Sequence, residues 1–267
     1  MALKAADNPV AEGSAAPSDR APMITVRDLV LAYGDFVVMR DVNFTVHRGD
    51  VFIIMGGSGS GKSTILRHLI GLNPTKQGEI FYGQADFVHA DAEARRQILR
   101  RVGILYQGSA LWSSLTLAEN IGLPLAEFTD LKPAEIREVA ALKLALVGLR
   151  GFEDYYPSEI SGGMQKRAGL ARAIALDPEF LFFDEPSSGL DPVSARRLDD
   201  LILAMRDNLG ATVVVVSHDL ASIFAIGSNA IFLDVDHRAM TASGPPKELL
   251  AHPPNAQVLT FLTRGAR

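Results

Sequence analysis

The densest chemistry in this 267-residue chain is Gly56-Gly57-Ser58-Gly59-Ser60-Gly61-Lys62-Ser63, followed by Thr64. It matches the spacing G-x-x-x-x-G-K-[ST] in full. Glycines in such a run let backbone N–H groups curl around phosphate oxygens. A helix starting beside the lysine adds the positive end of its dipole. Lys62 suits the β- and γ-phosphates, and the Ser63 hydroxyl suits Mg²⁺. Phe180-Leu181-Phe182-Phe183-Asp184-Glu185 ends an apolar run on two carboxylates. Carboxylates there need a cation or hydrogen bonds to compensate them. Asp184 fits a Mg²⁺ ion held through water, and Glu185 fits orientation of an attacking water. A phosphate loop plus an acidic strand end is the chemistry of nucleotide hydrolysis.

Between these elements lies Ser161-Gly162-Gly163-Met164-Gln165, leading into Ala-, Arg- and Leu-rich sequence up to Leu176. Ser161 reads as a helix N-cap, and its glycines allow close backbone approach. This is a second anion-binding helix start, and one nucleotide does not need both from one chain. Two copies arranged head to tail place the Ser161 loop of one against the γ-phosphate held by the other. For an isolated Ser-Gly-Gly, an ordinary cap is the better reading.

The elements that must position these groups follow from patterning. Ile24–Arg27 and Val42–Val46 alternate as half-buried strands do, with Gly34-Asp35 as a candidate turn. Val51–Met55 is continuously apolar and runs into the glycine loop, as a strand buried on both faces does. Thr64–Leu72 reads as a helix, Gly78–Gly83 as strand and turn, and Val102–Tyr106 as a strand. From Ser109 to Gly151 the composition is helical, with Pro133 at a helix start. Strands return at Phe180–Phe183, Thr212–Val216 and Ala230–Leu233. The expected class is α/β: a mostly parallel, RecA-like sheet core covered on both faces, an N-terminal antiparallel β subdomain and an inserted helical subdomain over about 109–177. Residues 1–22, rich in Ala, Pro and Ser, read as a disordered tail, and 23–267 as the folded domain.

Taken together, these motifs resemble the nucleotide-binding subunit of an ATP-binding cassette (ABC) transporter, over roughly Met23 to the C-terminus. The resemblance implies ATP and Mg²⁺ as ligands and an ATPase that drives transmembrane transport. It gives further residues their expected roles. Tyr33 falls where the family stacks an aromatic ring on adenine; a core tyrosine is the plain alternative. Gln107 matches the family's Mg²⁺- and water-sensing glutamine. Ser188-Gly189-Leu190-Asp191 matches the loop that crosses the dimer interface. His218, just past a strand end, matches the switch histidine on the γ-phosphate. Catalysis is thus expected from Glu185, His218, Lys62 and Gln107, with Ser63, Gln107 and Asp184 around Mg²⁺. ATP lies on residues 56–64, and Ser161 through Gln165 act across the interface.

Finer features include Met164 after Ser-Gly-Gly, Gln107–Trp112, Leu115–Asn120 and Ala168–Leu176. These are similar to the ATPases of Mla-type phospholipid transporters, associated with MCE-domain proteins. That implies lipid movement for outer-membrane asymmetry. The implied partners are a second copy of the chain, an integral-membrane permease, an MCE-domain lipid-binding protein and a small regulatory subunit, with no nucleic acid. The implied location is peripheral, on the cytoplasmic face of an inner membrane. The alternatives are the ATPase of a small-solute importer and a soluble, non-transport ABC protein. Trp112, the single tryptophan, reads either as lining a groove for a permease helix or as filling the core of the helical subdomain.

Composition sets outer bounds. A net charge of −5 argues against nucleic acid as the main partner. The absence of cysteine excludes disulfides and cysteine-ligated metal centres. No run approaches about 18 consecutive apolar residues, so the chain is expected not to span a membrane itself. Arg95-Arg96 and Arg100-Arg101 read as a solvated helix face, with anionic lipid head groups as the alternative. The chain ends soon after Phe261-Leu262, so no long tail for extra subunit contacts is expected.

Overall fold

The computed structural model describes residues 20–33 and 36–263, so the expected turn at Gly34-Asp35 and most of the expected tail lie outside the described residues. Among the described residues ten strands form one sheet: β1 (Pro22–Tyr33), β2 (Phe36–His47), β3 (Val51–Gly56), β4 (Glu79–Tyr82), β5 (Ala85–Asp86), β6 (Val102–Leu105), β7 (Phe180–Asp184), β8 (Thr212–Val216), β9 (Asn229–Asp234) and β10 (Ala239–Gly244). Nine α-helices among the described residues join them: α1 (Lys62–Leu69), α2 (Ala92–Arg100), α3 (Leu117–Phe128), α4 (Pro133–Leu146), α5 (Gly162–Ala173), α6 (Pro192–Leu209), α7 (Leu220–Ile226), α8 (Pro246–Ala251) and α9 (Ala256–Thr263).

The strand order is β5-β4-β1-β2-β10-β9-β3-β8-β7-β6. The β9-β3-β8-β7-β6 half is parallel throughout. The other half is antiparallel at β1–β2, β1–β4 and β4–β5. The expected parallel sheet is therefore one half of a mixed sheet, joined to the antiparallel half by β10, which the sequence reading lacks. β10 pairs antiparallel with β9 and meets β2 in parallel at Ala239–Arg40.

Period-2 geometry sends alternate residues of the central strands to two cores. Val51, Ile53 and Met55 pack with Leu181, Phe183, Val213 and Val215 beneath α3–α6. Phe52 and Ile54 pack with Phe180, Phe182, Val214 and Val216 against α1, β1 and β2. Each fully buried aliphatic or aromatic side chain contributes about 1.5–3 kcal/mol. The segment ahead of the phosphate loop is thus held rigidly from both faces.

Several expected boundaries move. The described residues include Arg20–Pro22, which the expected tail to 22 had covered. Arg20 reaches buried Asp50 at 3.0 Å, Arg48 N–H donates to the Ala21 carbonyl, and Pro22 opens β1. α1 starts two residues before the expected Thr64 and ends at Leu69, ahead of Gly71 at φ +75°. α5 spans Gly162–Ala173 rather than Met164–Leu176. Between β6 and β7 the chain is helical, and α4 has Pro133 at its first turn.

Candidate functional site: a nucleotide cleft on the C-terminal edge of the parallel strands

β3 delivers the phosphate loop. Gly56 has φ +155°, and a Cβ there would stand 2.4 Å from the Leu233 carbonyl, so no side chain fits. Gly61 sits at φ +90° and caps α1 without a side-chain hydrogen bond. The first-turn N–H groups of α1 thus have no side-chain cap and are available to an anion. Lys62 Nζ donates to the carbonyls of Gly56 and Gly57 at 3.0 and 2.9 Å, which aims the ammonium along the loop and leaves a third donor. Burial pushes Lys62 below the ordinary lysine value, against the opposing pull of Glu185 and Asp184. Ser60 Oγ is buried and has no protein partner.

β7 delivers the carboxylates. Ser63 Oγ donates to Asp184 Oδ1 at 3.1 Å. Burial pushes Asp184 above the usual carboxylate value, although the Ser63 hydrogen bond opposes this. Glu185 has φ +47°, a left-handed conformation that costs a non-glycine residue about 1–2 kcal/mol. Its N–H donates to the Val216 carbonyl at 2.9 Å, and its carbonyl accepts from Ser188 N–H at 3.1 Å. Those bonds hold the kink that turns the carboxylate out of the strand line. β8 delivers His218, whose Nδ1 stands 2.7 Å from Glu185 Oε1. With the proton on Nδ1, His218 donates to Glu185 and keeps Nε2 free to accept.

One cleft of about 1350 Å³ is lined by residues 56–64, Gln107, Glu185 and His218, which brings together the expected catalytic and phosphate groups. Asp184 adjoins it through Ser63. A single carboxylate, one hydroxyl and phosphate oxygens suit Mg²⁺, which binds through few protein ligands. Among the described residues no cluster of three His, Cys, Asp or Glu forms a closed metal cage.

The Ser161 element does not line that cleft. Ser161 and Gly162 are exposed, and Ser161 Oγ accepts from Met164 N–H at 3.3 Å as the cap of α5. Gln165 Nε2 donates to the Pro157 carbonyl. A Cβ on Gly163 would meet Ser194 and Leu190, so this helix start touches the Ser188–Asp191 loop of its own chain. Asp191 caps α6, and Gly189 has φ +78°. Tyr33 ends β1, and its side chain lies outside the described residues.

Sequence reasoning missed several residues in and around the cleft. Phe36, 62% exposed, and Val38 line the cleft from β2, opposite the end of β1. Phe36 was legible as an aromatic three residues from Tyr33. Lys166 was not: it is buried, donates to the Gln107 carbonyl, and is lowered by burial against the pull of Asp184 and Glu185. Arg172 donates to the Ser109 and Ala110 carbonyls at 2.9 and 2.6 Å, so α5 grips the Gln107 loop twice. Trp112 is 63% exposed, which excludes the core-filling reading. Buried Asn120 fixes it outward by accepting from Trp112 N–H at 2.7 Å. Three of the four arginines are less free than a solvated face implies. Arg95 bonds the Phe87 and Val88 carbonyls, Arg96 pairs with Glu127, and Arg101 pairs with Glu179.

Among the described residues no helix is long and apolar enough to cross a membrane. The pattern of the ABC transporter family matches residues 39–188. The chain is 39% identical over 239 residues to a Mycobacterium tuberculosis protein named "Probable ribonucleotide transport ATP-binding protein mkl", covering 90% of this chain and 66% of that one. It therefore spans just under two thirds of that relative. The Haemophilus influenzae "Intermembrane phospholipid transport system ATP-binding protein MlaF" is 38% identical over 85% of this chain and 86% of its own length. The Escherichia coli MlaF is 36% identical, with 91% and 89% covered. Among solved structures, the dimeric post-hydrolysis cassette MJ0796 bound to ADP and Pi superposes at TM-score 0.74, with 29% identity over 84% of this chain and 98% of that one. The cbiO1 cassette of Clostridium perfringens, part of the transporter complex cbiONQ, superposes at 0.78 with 25% identity over 88% and 92%. A family pattern over more than half of the chain, and family relatives aligned with most of it, agree with what the cleft's residues predict: the chain belongs to the ABC transporter family of ATP-binding cassettes.

Proposed function

We propose that this chain is the ATP-hydrolysing subunit of an ABC transporter that moves phospholipid through a partner permease. The observation that carries the hydrolytic reading is the joining, in one cleft, of the Lys62 loop, Ser63 with Asp184 bonded behind it, and the Glu185–His218 pair. ATP lays its phosphates on the start of α1, with Lys62 on the β- and γ-oxygens. The adenine lies toward β2, where Phe36 offers a ring and Tyr33 is the second candidate. Ser63, Asp184 and Gln107 would hold Mg²⁺, which would supply charge neutralisation at the phosphates. Glu185 orients the attacking water, and His218 holds Glu185 in place. A second copy supplies Ser161, Gly162 and Gly163 to the γ-phosphate, with Met164 and Gln165 beginning the helix behind them. Ser188–Asp191 lies between the two sites. The dimeric state of MJ0796 supports this pairing.

Outward-facing Trp112, with exposed Leu123, Tyr155 and Tyr156 in the same helical region, is the surface offered to a permease helix. Through that permease the chain sits on the cytoplasmic face of an inner membrane, and the MlaF likeness extends the assembly to an MCE-domain protein and a regulatory subunit. The phospholipid cargo is supported by relatives named for it that match nearly end to end. The mycobacterial relatives, named for ribonucleotide transport, favour a different cargo on the same cassette.

Glu185→Gln tests the hydrolytic reading. It should bind ATP, accumulate as a dimer on size-exclusion chromatography, and lose turnover by at least about 10²-fold. Near-normal turnover refutes the assignment of Glu185. The cargo is read by purifying the assembled transporter from membranes and identifying bound molecules by mass spectrometry. Phospholipid is expected, and ribonucleotide in excess of the two ATP of the cassettes, without lipid, would transfer the assignment to the mycobacterial reading.

A further inference from the structure

α6 leaves the Asp191 loop, and about two turns along it stands Asp199, a carboxyl only 5% exposed. Its Oδ2 accepts from Ser222 Oγ at 2.9 Å. The same hydroxyl stands 3.3 Å from Oδ2 of Asp219. Asp219 directly follows His218 and caps α7. Its Oδ1 accepts from Ala221 N–H at 3.0 Å, and its own N–H is held by Ser217 Oγ at 3.0 Å. A connected path therefore runs from α6 through Ser222 and Asp219 to His218, and on to Glu185.

One hydroxyl has one hydrogen, so it cannot donate to two carboxylates at once. The arrangement is complete when Asp199 carries a proton: Asp199 donates to Ser222, and Ser222 donates to Asp219. Burial pushes Asp199 up to about 6. The Ser222 hydrogen bond and Arg196 oppose this, and the carboxylates of Asp219 and Asp200 add to it. When Asp199 ionises, Ser222 turns to the new charge, and Asp219 loses a donor beside the histidine.

We propose that Asp199 and Ser222 clasp α6 to the segment carrying His218, and that Asp199 is thereby a positioning residue for ATP hydrolysis. The inference rests on the hydrolytic reading of the Glu185–His218 pair. It adds a route by which the Asp191 loop, placed between the two ATP sites, sets the histidine of its own chain.

The test uses the assembled transporter and compares the parent with Asp199→Leu, Asp199→Asn and Ser222→Ala, with Glu185→Gln as control. ATP turnover is followed between about pH 5.5 and about pH 8.5, and amide hydrogen exchange is measured over residues 217–223. Asp199→Leu and Ser222→Ala should lower kcat about tenfold with KM for ATP little changed, and should speed exchange in that segment. Asp199→Asn, which keeps a donor toward Ser222, should restore much of the lost rate and remove the part of the pH profile centred near 6. Normal kcat and normal exchange in both Asp199→Leu and Ser222→Ala would overturn the clasp. So would a lowered melting temperature with kcat, pH profile and local exchange unmoved. If Asp199→Leu does not fold, Ser222→Ala, which removes one oxygen, decides alone. If Glu185→Gln turns over normally the hydrolytic reading fails, while hydrogen exchange still decides the clasp.

Discussion

Two helices of this protein begin on glycine-rich loops, and they begin differently. α1 has Gly61 in a left-handed conformation at its cap, no side-chain acceptor for its first N–H groups, and a cleft in front of it. α5 has Ser161, whose hydroxyl already accepts from Met164 N–H, and it opens onto exposed surface rather than into that cleft. A helix start without a side-chain cap leaves N–H groups that an anion can occupy, and a cleft in front of it gives that anion room. Within one chain, α1 therefore suits the phosphates of the proposed nucleotide, and α5 suits the contact proposed with a second copy. Ser161 Oγ accepts from Met164 N–H in the cap, so its hydroxyl hydrogen remains to donate to an acceptor outside the helix. This contrast is the physical basis for assigning one ATP to two copies.

The contrast breaks most severely at the lysine. Lys62→Ala removes the charge that α1 aims along its own loop, and turnover should fall about 10³-fold with ATP affinity reduced, measured by phosphate release and nucleotide titration. At the second helix, Ser161→Asp separates the two roles of the serine. Aspartate caps as well as serine, so the melting temperature should stay within about 1 °C. Its charge faces the partner's γ-phosphate in the proposed dimer, so turnover should fall about 10²-fold. If turnover survives, α5 is only a capped helix, and the two-copy site is wrong. Gly61→Ala is the gentler probe of α1. At φ +90° a Cβ costs about 1–2 kcal/mol and meets Val38 Cγ1 at 3.1 Å, so the melting temperature should drop by about 3–6 °C.

The same contrast explains what could be read before any fold was known. The α1 site is dictated by backbone geometry, which demands glycine at Gly56 and a lysine and hydroxyl at fixed spacing, so residue types disclose it. β3 and β8 were legible because both faces are buried, which leaves only apolar residues. β1 and β2 were seen only in pieces. Asp28 at φ +47° and Asp41 at φ +53°, tied by Asn43 to Asp28 N–H and to the Asp41 carbonyl, place irregularities in the pairing and break the alternation. β10, Ala-Met-Thr-Ala-Ser-Gly, carries too little apolar contrast to announce a strand. The left-handed turn at Glu185, the burial of Lys166 and the Asp199–Ser222 bond join residues distant in sequence, and no local pattern encodes them.

The smallest expected effect lies at the far end of α1, where the two helices differ again. The last turn of α5 presents Arg172, which bonds the Ser109 and Ala110 carbonyls. The last turn of α1 carries His68, 1% exposed, with Nδ1 3.3 Å from Thr75 Oγ1 and Nε2 buried without a protein partner. A charge at a helix C-terminus is favourable, but burial outweighs that here and pushes His68 below the ordinary histidine value. The folded state then binds fewer protons than the unfolded one just below about pH 6.5, so stability falls as pH drops through that value. Asp199 acts in the opposite sense. Its raised value means that folding binds an extra proton between about 4 and 6, so stability rises as pH falls through that interval. The two contributions mask one another in the parent protein. In an Asp199→Asn background the His68 slope should emerge, with the melting temperature declining from about pH 6.5 toward about pH 5. His68→Gln in the same background should flatten it. An unchanged slope would mean that His68 is protonated without cost, and that the base of the phosphate-binding helix is open to water rather than sealed.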